Sequence, residues 1–150
     1  MIYIVVDTCV FTRLQGKYSS VFECIQRNGD VIAVSKNARD EYEMQARASI
    51  GIMQSFLKDL HDNNQSRNFN SSYIESKLRA VQRRRRIAYP QDTQDKKWVK
   101  LAVSSGARYI LTTDSTLLHL RPNPCINNQT VECIGPEEFL QQRCPDLAEQ

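Results

Sequence analysis

A chain of 150 residues, of which 41% are hydrophobic and 25% charged, has the size and composition of one globular domain, so we expect a single domain over residues 1–150. No apolar run is long enough to cross a bilayer and no signal peptide is recognisable, which predicts a cytoplasmic protein that makes no membrane contact. The net charge of +3 is mild. The five cysteines form no paired motif, so we expect reduced, mostly buried thiols rather than a zinc site.

Four short apolar runs, rich in β-branched residues, predict the strands of a sheet. They cover residues 2–6, 31–34, 109–112 and 131–134. Strands with apolar side chains on both faces are typical of parallel sheets, in which helices cover each face.

Amphipathic helical patterns separate these runs. Pro90 and Gly106 each stop a predicted helix, and Pro136 begins one at its first turn. The predicted helices cover residues around 21–25, about 36–61, about 72–88, 95–105 and from 136 onward. Strands that alternate with helices predict a three-layer α/β/α sandwich with a central parallel sheet, of the doubly wound, Rossmann-like type.

Four acidic residues stand where such a sheet gathers its ligands, beyond the carboxyl ends of the strands. Asp7 and Asp114 directly follow predicted strands, Asp95 opens a helix, and Glu41 lies in the helix after the second strand. For each acid alone, a role as a helix cap or a turn residue is the favoured explanation. Together in one cleft they would repel one another unless a divalent cation neutralised them. The pattern therefore predicts a site for Mg²⁺ or Mn²⁺, which can activate water and stabilise the leaving oxygen in phosphodiester cleavage.

The order of the motifs along nearly the whole chain resembles that of the PIN-domain ribonucleases. The third and fourth motifs are the most specific, an acid-led helix and a strand that ends in Thr-x-Asp. The five matching segments are Val-Val-Asp-Thr-Cys-Val at 5–10, Ser35 with Glu41 six residues later, the helix at 89–102, the strand at 106–114, and Pro-Glu-Glu-Phe-Leu at 136–140.

This resemblance implies a PIN-like fold and a nuclease site in which Asp7, Glu41, Asp95 and Asp114 are catalytic. It implies that Asp7, Asp95 and Asp114 bind Mg²⁺ or Mn²⁺, and that the substrate is single-stranded or hairpin RNA. Many relatives are VapC-like toxins, so the resemblance also implies a small antitoxin protein as a partner, and a homodimer.

Two departures from the family pattern affect the metal site. Thr116 stands where many relatives have another acid, and the segment before Asp95 has fewer acids than in close relatives, so Asp92 is an auxiliary ligand or a turn residue. Glu43 competes with Glu41, but the two side chains point about 200° apart on a helix, and the motif spacing favours Glu41.

Hydroxyl side chains beside the acids are auxiliary candidates. Thr8, Thr112, Thr113 and Ser115 would hold a metal-bound water or orient a carboxylate, or else satisfy backbone groups at the strand ends.

The run Arg83-Arg84-Arg85-Arg86 concentrates positive charge at the end of the predicted helix over 72–88. We expect Arg79, Arg83 and Arg86 to share one helix face and Arg84 to lie on another, and we take these four as candidate contacts to RNA phosphates. Two other interpretations remain open: a solvated helix end favoured by the helix dipole, and a docking surface for an acidic partner segment such as an antitoxin tail.

The main alternative function is a catalytically silent PIN-like module that binds RNA or a protein. The presence of all four acids favours the enzyme, because mutually repelling carboxylates need a cation to hold. A receiver domain would need two adjacent acids after the first strand, and a haloacid-dehalogenase-like phosphatase would need an acid where Cys9 stands. A DNA nuclease would use the same metal site, so RNA is an expectation taken from the family.

Overall fold

The computed structural model describes residues 1–120, 125–126 and 129–148. Its main sheet has five parallel strands in the order β3-β2-β1-β4-β7, and β5 and β6 form a separate antiparallel pair. The strands are β1 (Tyr3–Val6), β2 (Val31–Val34), β3 (Ser66–Asn68), β4 (Tyr109–Leu111), β5 (Cys125–Ile126), β6 (Gln129–Thr130) and β7 (Glu132–Ile134).

Helices flank this sheet on both sides and complete three layers, which confirms the predicted α/β/α sandwich. Helices α5 and α6 pack against each other, as do α2 and α8. The helices are α1 (Thr8–Phe11), α2 (Ser19–Arg27), α3 (Lys36–Ala46), α4 (Ile50–Asp62), α5 (Ser71–Gln82), α6 (Lys96–Ser105), α7 (Ser115–Leu118), α8 (Pro136–Arg143) and α9 (Pro145–Ala148).

The central strand β1 explains why its sequence is apolar at nearly every position. Ile4, Val5 and Val6 are fully buried, since helices cover both faces of the sheet. The strand pairs with β2 on one side and β4 on the other, with Val6 opposite Leu111. The carboxyl ends of β1 and β4 therefore lie next to each other.

The prediction of one long helix over residues 36–61 is wrong. Arg47 has a positive φ of 48°, and a short 3₁₀ turn over Arg47–Ser49 separates α3 from α4. Hydrophobic spacing continues across this break, so the period alone gives no sign of it.

The predicted helix over residues 72–88 is too long at its carboxyl end. Helix α5 ends at Gln82, Arg83 is its C-cap, and the rest of the arginine run lies beyond the helix. The predicted helix face shared by Arg79, Arg83 and Arg86 therefore does not form. Four consecutive exposed cations repel one another, and the chain turns here so that Ile87 is buried.

The polar segment after α4 was predicted as a connection and instead contains the edge strand β3. Arg67 and Asn68 are exposed there, so this strand has no apolar run to mark it. No helix among the described residues is long and apolar enough to cross a membrane.

The prediction of reduced thiols is wrong for two cysteines. Cys24 of α2 and Cys144, which follows α8, form a disulfide across 120 residues of sequence, with 6.0 Å between their Cα atoms. This pairing depends on the packing of α2 against α8, which no local motif records. Cys9 and Cys133 are thiols outside this disulfide, and the side chain of Cys125 lies outside the described residues.

Candidate active site

The four predicted acids line one cleft at the carboxyl edge of the sheet. Asp7 follows β1 and Asp114 follows β4, while Glu41 lies in α3 and Asp95 precedes α6. The backbone N–H of Asp7 donates to the carbonyl of Leu111 at 2.9 Å, which extends the β1–β4 pairing into the site. All four acids border a cleft of about 480 Å³, as do Thr8, Cys9, Arg13 and Thr113.

Asp7 is held rigidly at the base of this cleft. It is only 7% exposed, and it is the N-cap of α1. Its Oδ1 accepts a hydrogen bond from the N–H of Thr8 at 2.7 Å, and its Oδ2 accepts one from the Thr112 hydroxyl at 2.7 Å. Burial raises the pKa of Asp7 above its usual value, and the hydrogen bonds from Thr112 and Thr8 oppose that rise.

Thr112 connects two of the acids. Its side chain is fully buried, and its hydroxyl donates to Asp7 while it accepts the backbone N–H of Asp114 at 3.0 Å. Its hydroxyl is therefore placed to orient the carboxylate of Asp7 and the backbone of Asp114.

Asp114 uses one of its two oxygens as a helix cap. Its Oδ1 accepts from the N–H of Thr116 at 2.8 Å and of Leu117 at 3.4 Å, at the start of α7. Within the described residues no hydrogen bond reaches Oδ2, so this oxygen is available to a ligand.

Asp95 is the acid of the cleft that its surroundings disfavour most as an anion. It is the N-cap of α6, yet its side chain makes no capping hydrogen bond. Burial is the main cause that raises its pKa to about 6, and the charges of Asp114 and Asp7 raise it further. A carboxylate that is desolvated and repelled in this way favours either a proton or a cation.

Glu41 stands at the wall of the cleft with both oxygens engaged. Its Oε2 accepts from the Thr8 hydroxyl, and its Oε1 lies 2.5 Å from the ammonium group of Lys97. The two paired side chains are 15% and 19% exposed, so the ion pair is largely buried. Sequence reasoning missed Lys97, because a lysine in the first turn of a helix is most often solvated and no motif marked it. Glu43 does not line the cleft, in agreement with the preference for Glu41.

The auxiliary candidates divide into two groups. Thr8 contacts Glu41, and the hydroxyl of the exposed Thr113 lies 3.1 Å from the sulfur of Cys9 at the cleft. Ser115 is exposed at the start of α7, and Asp92 is exposed with its Oδ1 accepting the N–H of Gln94 at 2.8 Å. Asp92 thus has the geometry of a turn residue.

The donor set suits a hard divalent cation, since Mg²⁺ and Mn²⁺ prefer carboxylate oxygens and Asp95 is destabilised as an anion without one. Within the described ranges, no three His, Cys, Asp or Glu side chains already stand close enough to one another to hold a metal ion. Binding would therefore require the carboxylates to close around it.

The arginine cluster lies away from the acids. Arg83 and Arg84 line a second groove of about 690 Å³ together with Lys77 of α5 and the last residues of α6, Ser104 and Ser105. Because α6 begins at the acid cleft and ends at this groove, the two are separated by roughly the 15 Å that ten helical residues span. Arg79 and Arg86 are exposed in the same region.

Comparison with known proteins agrees with this architecture. A family model described as PIN domain matches residues 3–116. None of the curated proteins matches the chain. Solved structures do match, and one is a "Crystal structure of VapBC2 from Rickettsia felis bound to a DNA fragment from their promoter", with a TM-score of 0.53 and 13% sequence identity over 89% of this chain and 98% of that chain. At this level of identity the likeness concerns the fold.

Proposed function

This chain belongs to the PIN domain family, and from that premise we propose that it is a divalent-metal-dependent endoribonuclease and the toxin of a toxin–antitoxin pair. The observation that supports the enzyme is the meeting of Asp7, Glu41, Asp95 and Asp114 in one cleft at the carboxyl edge of the sheet. Acids exposed to solvent would cap helices equally well. Helix capping therefore does not explain why acids from four separate chain segments meet in one cleft.

In this proposal Asp7, Asp95 and Asp114 hold Mg²⁺ or Mn²⁺. The ion, when bound, supplies an activated water and neutralises negative charge on the leaving oxygen of the cleaved phosphodiester. Thr112 keeps Asp7 in one orientation and fixes the backbone of Asp114, so two ligands share one rigid support. Asp95 lacks a capping bond and is the carboxylate with the greatest gain from a nearby positive charge.

Glu41 acts beside the metal ligands as a positioned acceptor. Thr8 and Lys97 hold its two oxygens in one orientation at the cleft wall, where the carboxylate accepts a hydrogen bond from the attacking water. Thr8 thereby serves as an auxiliary residue, and Thr113, which lines the cleft, is a further auxiliary candidate. Ser115 and Asp92 are exposed and do not line the cleft, so this proposal gives them no role.

An antitoxin partner is supported by the similarity in fold to VapBC2 from Rickettsia felis, since VapC-like toxins pair with a small antitoxin. It is also supported by exposed apolar side chains around the α3–α4 junction, Met44, Ile50 and Ile52, which are 63%, 43% and 66% exposed. Such side chains favour a protein contact, with an antitoxin or with a second copy in a homodimer. A single domain over residues 1–150 and a cytoplasmic location complete the proposal.

The first test is cleavage of single-stranded and hairpin RNA by the purified protein with Mn²⁺, Mg²⁺ or EDTA. Asp7→Asn and Asp95→Asn should abolish cutting. Asp92→Asn makes the same change at an exposed turn residue and should retain cutting. Metal-dependent cutting that both site variants lose would establish the nuclease.

The opposite result would favour the silent binding module. If the wild type and all variants were equally inert with either metal but bound RNA, the enzyme proposal would fail. Toxin function has its own readout: expression of the wild type should arrest growth, and expression of Asp114→Asn should not.

A further inference from the structure

The acid cleft by itself is a poor place to attract RNA. It carries four carboxylates, and among the described residues its one cationic lining residue is Arg13. RNA is a polyanion whose affinity for proteins comes mainly from cations that neutralise phosphates. If the chain cuts RNA, binding energy must therefore come from outside the cleft.

A groove adjoins the cleft and shares Glu41 with it. This near groove, of about 690 Å³, is lined by Lys96, Lys97 and Lys100 of α6, by Ile74 of α5 and by α3 residues that include Asp40. Lys97 pairs with Glu41, whereas the side-chain ammonium groups of Lys96 and Lys100 make no hydrogen bond or ion pair with any described residue. Four residues apart on α6, these two ammonium groups lie on the same helix face.

The groove that contains the arginines lies farther along the same pair of helices, and we call it the far groove. Tyr73 and Lys77 of α5 line it, as do Arg83 and Arg84, and no acid from the described part of the chain does. Tyr73 is 39% exposed, and the ammonium group of Lys77 lies 5.7 Å from the centre of its ring. An exposed aromatic ring among cations is the usual platform for an unpaired base.

The two grooves follow each other along the seam between α5 and α6. The near groove is lined by Ile74 of α5 and Leu101 of α6, and the far groove by Tyr73 of α5 and Ser104 of α6. Residues that are close in sequence on each helix thus line both grooves, which places the grooves next to each other. We propose that this seam is a basic track that binds single-stranded RNA and leads it into the acid cleft.

The length of the track sets a requirement on the substrate. Ten residues of α6 span roughly 15 Å, and stacked nucleotides of one strand are about 3.4 Å apart, so RNA that fills the track extends about four to five nucleotides beyond the cleaved bond. The track then favours long, unpaired RNA over very short fragments.

This inference rests on the proposed function for its biological meaning, but RNA binding tests it separately from cleavage. The assay measures the affinity of fluorescent single-stranded RNA of 4, 8, 12 and 20 nucleotides for Asp7→Asn protein over a range of salt concentrations. Two double variants are compared in that background. The track variant combines Lys100→Gln with Arg84→Gln, and the control combines Lys17→Gln with Lys58→Gln, which removes the same charge elsewhere. Circular dichroism and thermal melting verify that each folds.

The track predicts that affinity rises with RNA length and levels off once the track is full. Loss of Lys100 and Arg84 should weaken binding of the 20-nucleotide RNA at least tenfold and lower the slope of log K against log salt by about 1.4, at about 0.7 for each single-strand phosphate contact. Tyr73→Leu should weaken it severalfold without changing that slope. The control should stay within twofold of the parent.

Equal RNA binding by the track variant and the control would overturn the proposal. So would a track variant that lost affinity for an acidic, antitoxin-like peptide while its RNA affinity stayed the same, since the seam would then be a protein-docking surface. RNA bound along the track but never cleaved by the wild type would contradict the nuclease and leave the track standing.

Discussion

The ammonium group of Lys97 lies 2.5 Å from Oε1 of Glu41, on the wall shared by the acid cleft and the near groove of the basic track. A cation of the protein itself therefore offsets one of four crowded carboxylates. Asp95, Asp7 and Asp114 have no such partner in the described structure, so the protein pairs one of the four acids with a cation of its own and leaves three without one.

Lys97→Met should destabilise the metal-free protein, because the substitution leaves Glu41 buried among other acids. Breaking a buried ion pair costs about 3–5 kcal/mol, and we expect about 2–3 kcal/mol at pH 8, since this pair is partly exposed. The deficit should shrink near pH 5, where Asp95, whose pKa is raised to about 6 mainly by burial, takes up a proton and repels Glu41 less. Urea unfolding in EDTA measures both values, with the exposed Lys100→Met as the control. A deficit equal at both pH values would contradict this explanation.

Asp95→Asn should stabilise the metal-free protein at alkaline pH while it abolishes cleavage. The folded-state pKa of Asp95 is about 6 against 3.8 for the free side chain, so its favourable contribution is complete below pH 3.8 and is lost as the pH rises through 6. Asparagine does not ionise, so the variant does not lose this contribution as the pH rises. After discounting for solvent screening, we expect Tm to rise by about 2–4 °C at pH 8, equivalent to about 1 kcal/mol, and not at pH 4. Thermal melting at the two pH values decides, and an unchanged or lower Tm at pH 8 would contradict the raised pKa of Asp95.

Thr112→Val should reduce cleavage more than it reduces stability, because the lost hydroxyl holds both Asp7 and the backbone of Asp114. Loss of a residue that orients a metal ligand typically lowers activity or metal affinity about 10–100-fold. Thr112→Ser keeps the hydroxyl and should restore most of the activity. Thr116→Val, at an exposed threonine that does not line the cleft, is the control, and an equal loss in both valine variants would argue against a special role for Thr112.

Mn²⁺ should raise the Tm of the wild type, and EDTA should reverse the rise. A ligand present at 100 times its Kd stabilises a folded protein by about 2.7 kcal/mol, which corresponds to a shift of about 5–10 °C for a chain of this size. Asp114→Asn should lose most of the shift and Asp92→Asn should keep it. A shift of the same size in both variants would mean that the metal binds elsewhere.

The sequence predicted the elements whose side chains all lie in the same kind of environment, such as a strand that is buried on both faces. β1 is apolar because helices cover both of its faces, and Asp7 and Asp114 could be assigned to one edge because each directly follows a strand of a parallel sheet. The position of these two acids directly after predicted strands was therefore enough to predict where they lie in the fold.

Features that depend on distant packing could not be predicted in this way. The break at Arg47 is a change in one backbone angle within a continuous apolar period, and β3 is an edge strand with exposed polar side chains. The Lys97–Glu41 pair joins residues 56 positions apart on different helices. Only the approach of α3 to α6 makes these two residues partners.

The bond between Cys24 and Cys144 divides the chain into a covalent ring, an amino-terminal arm and a short carboxyl-terminal segment. The amino-terminal arm contains β1 and Asp7, so the strand at the middle of the sheet lies between two strands, β2 and β4, that both belong to the ring. The exposed arginine run lies within the ring. A trypsin cut there would open the ring without separating the molecule into two pieces until a reductant was added.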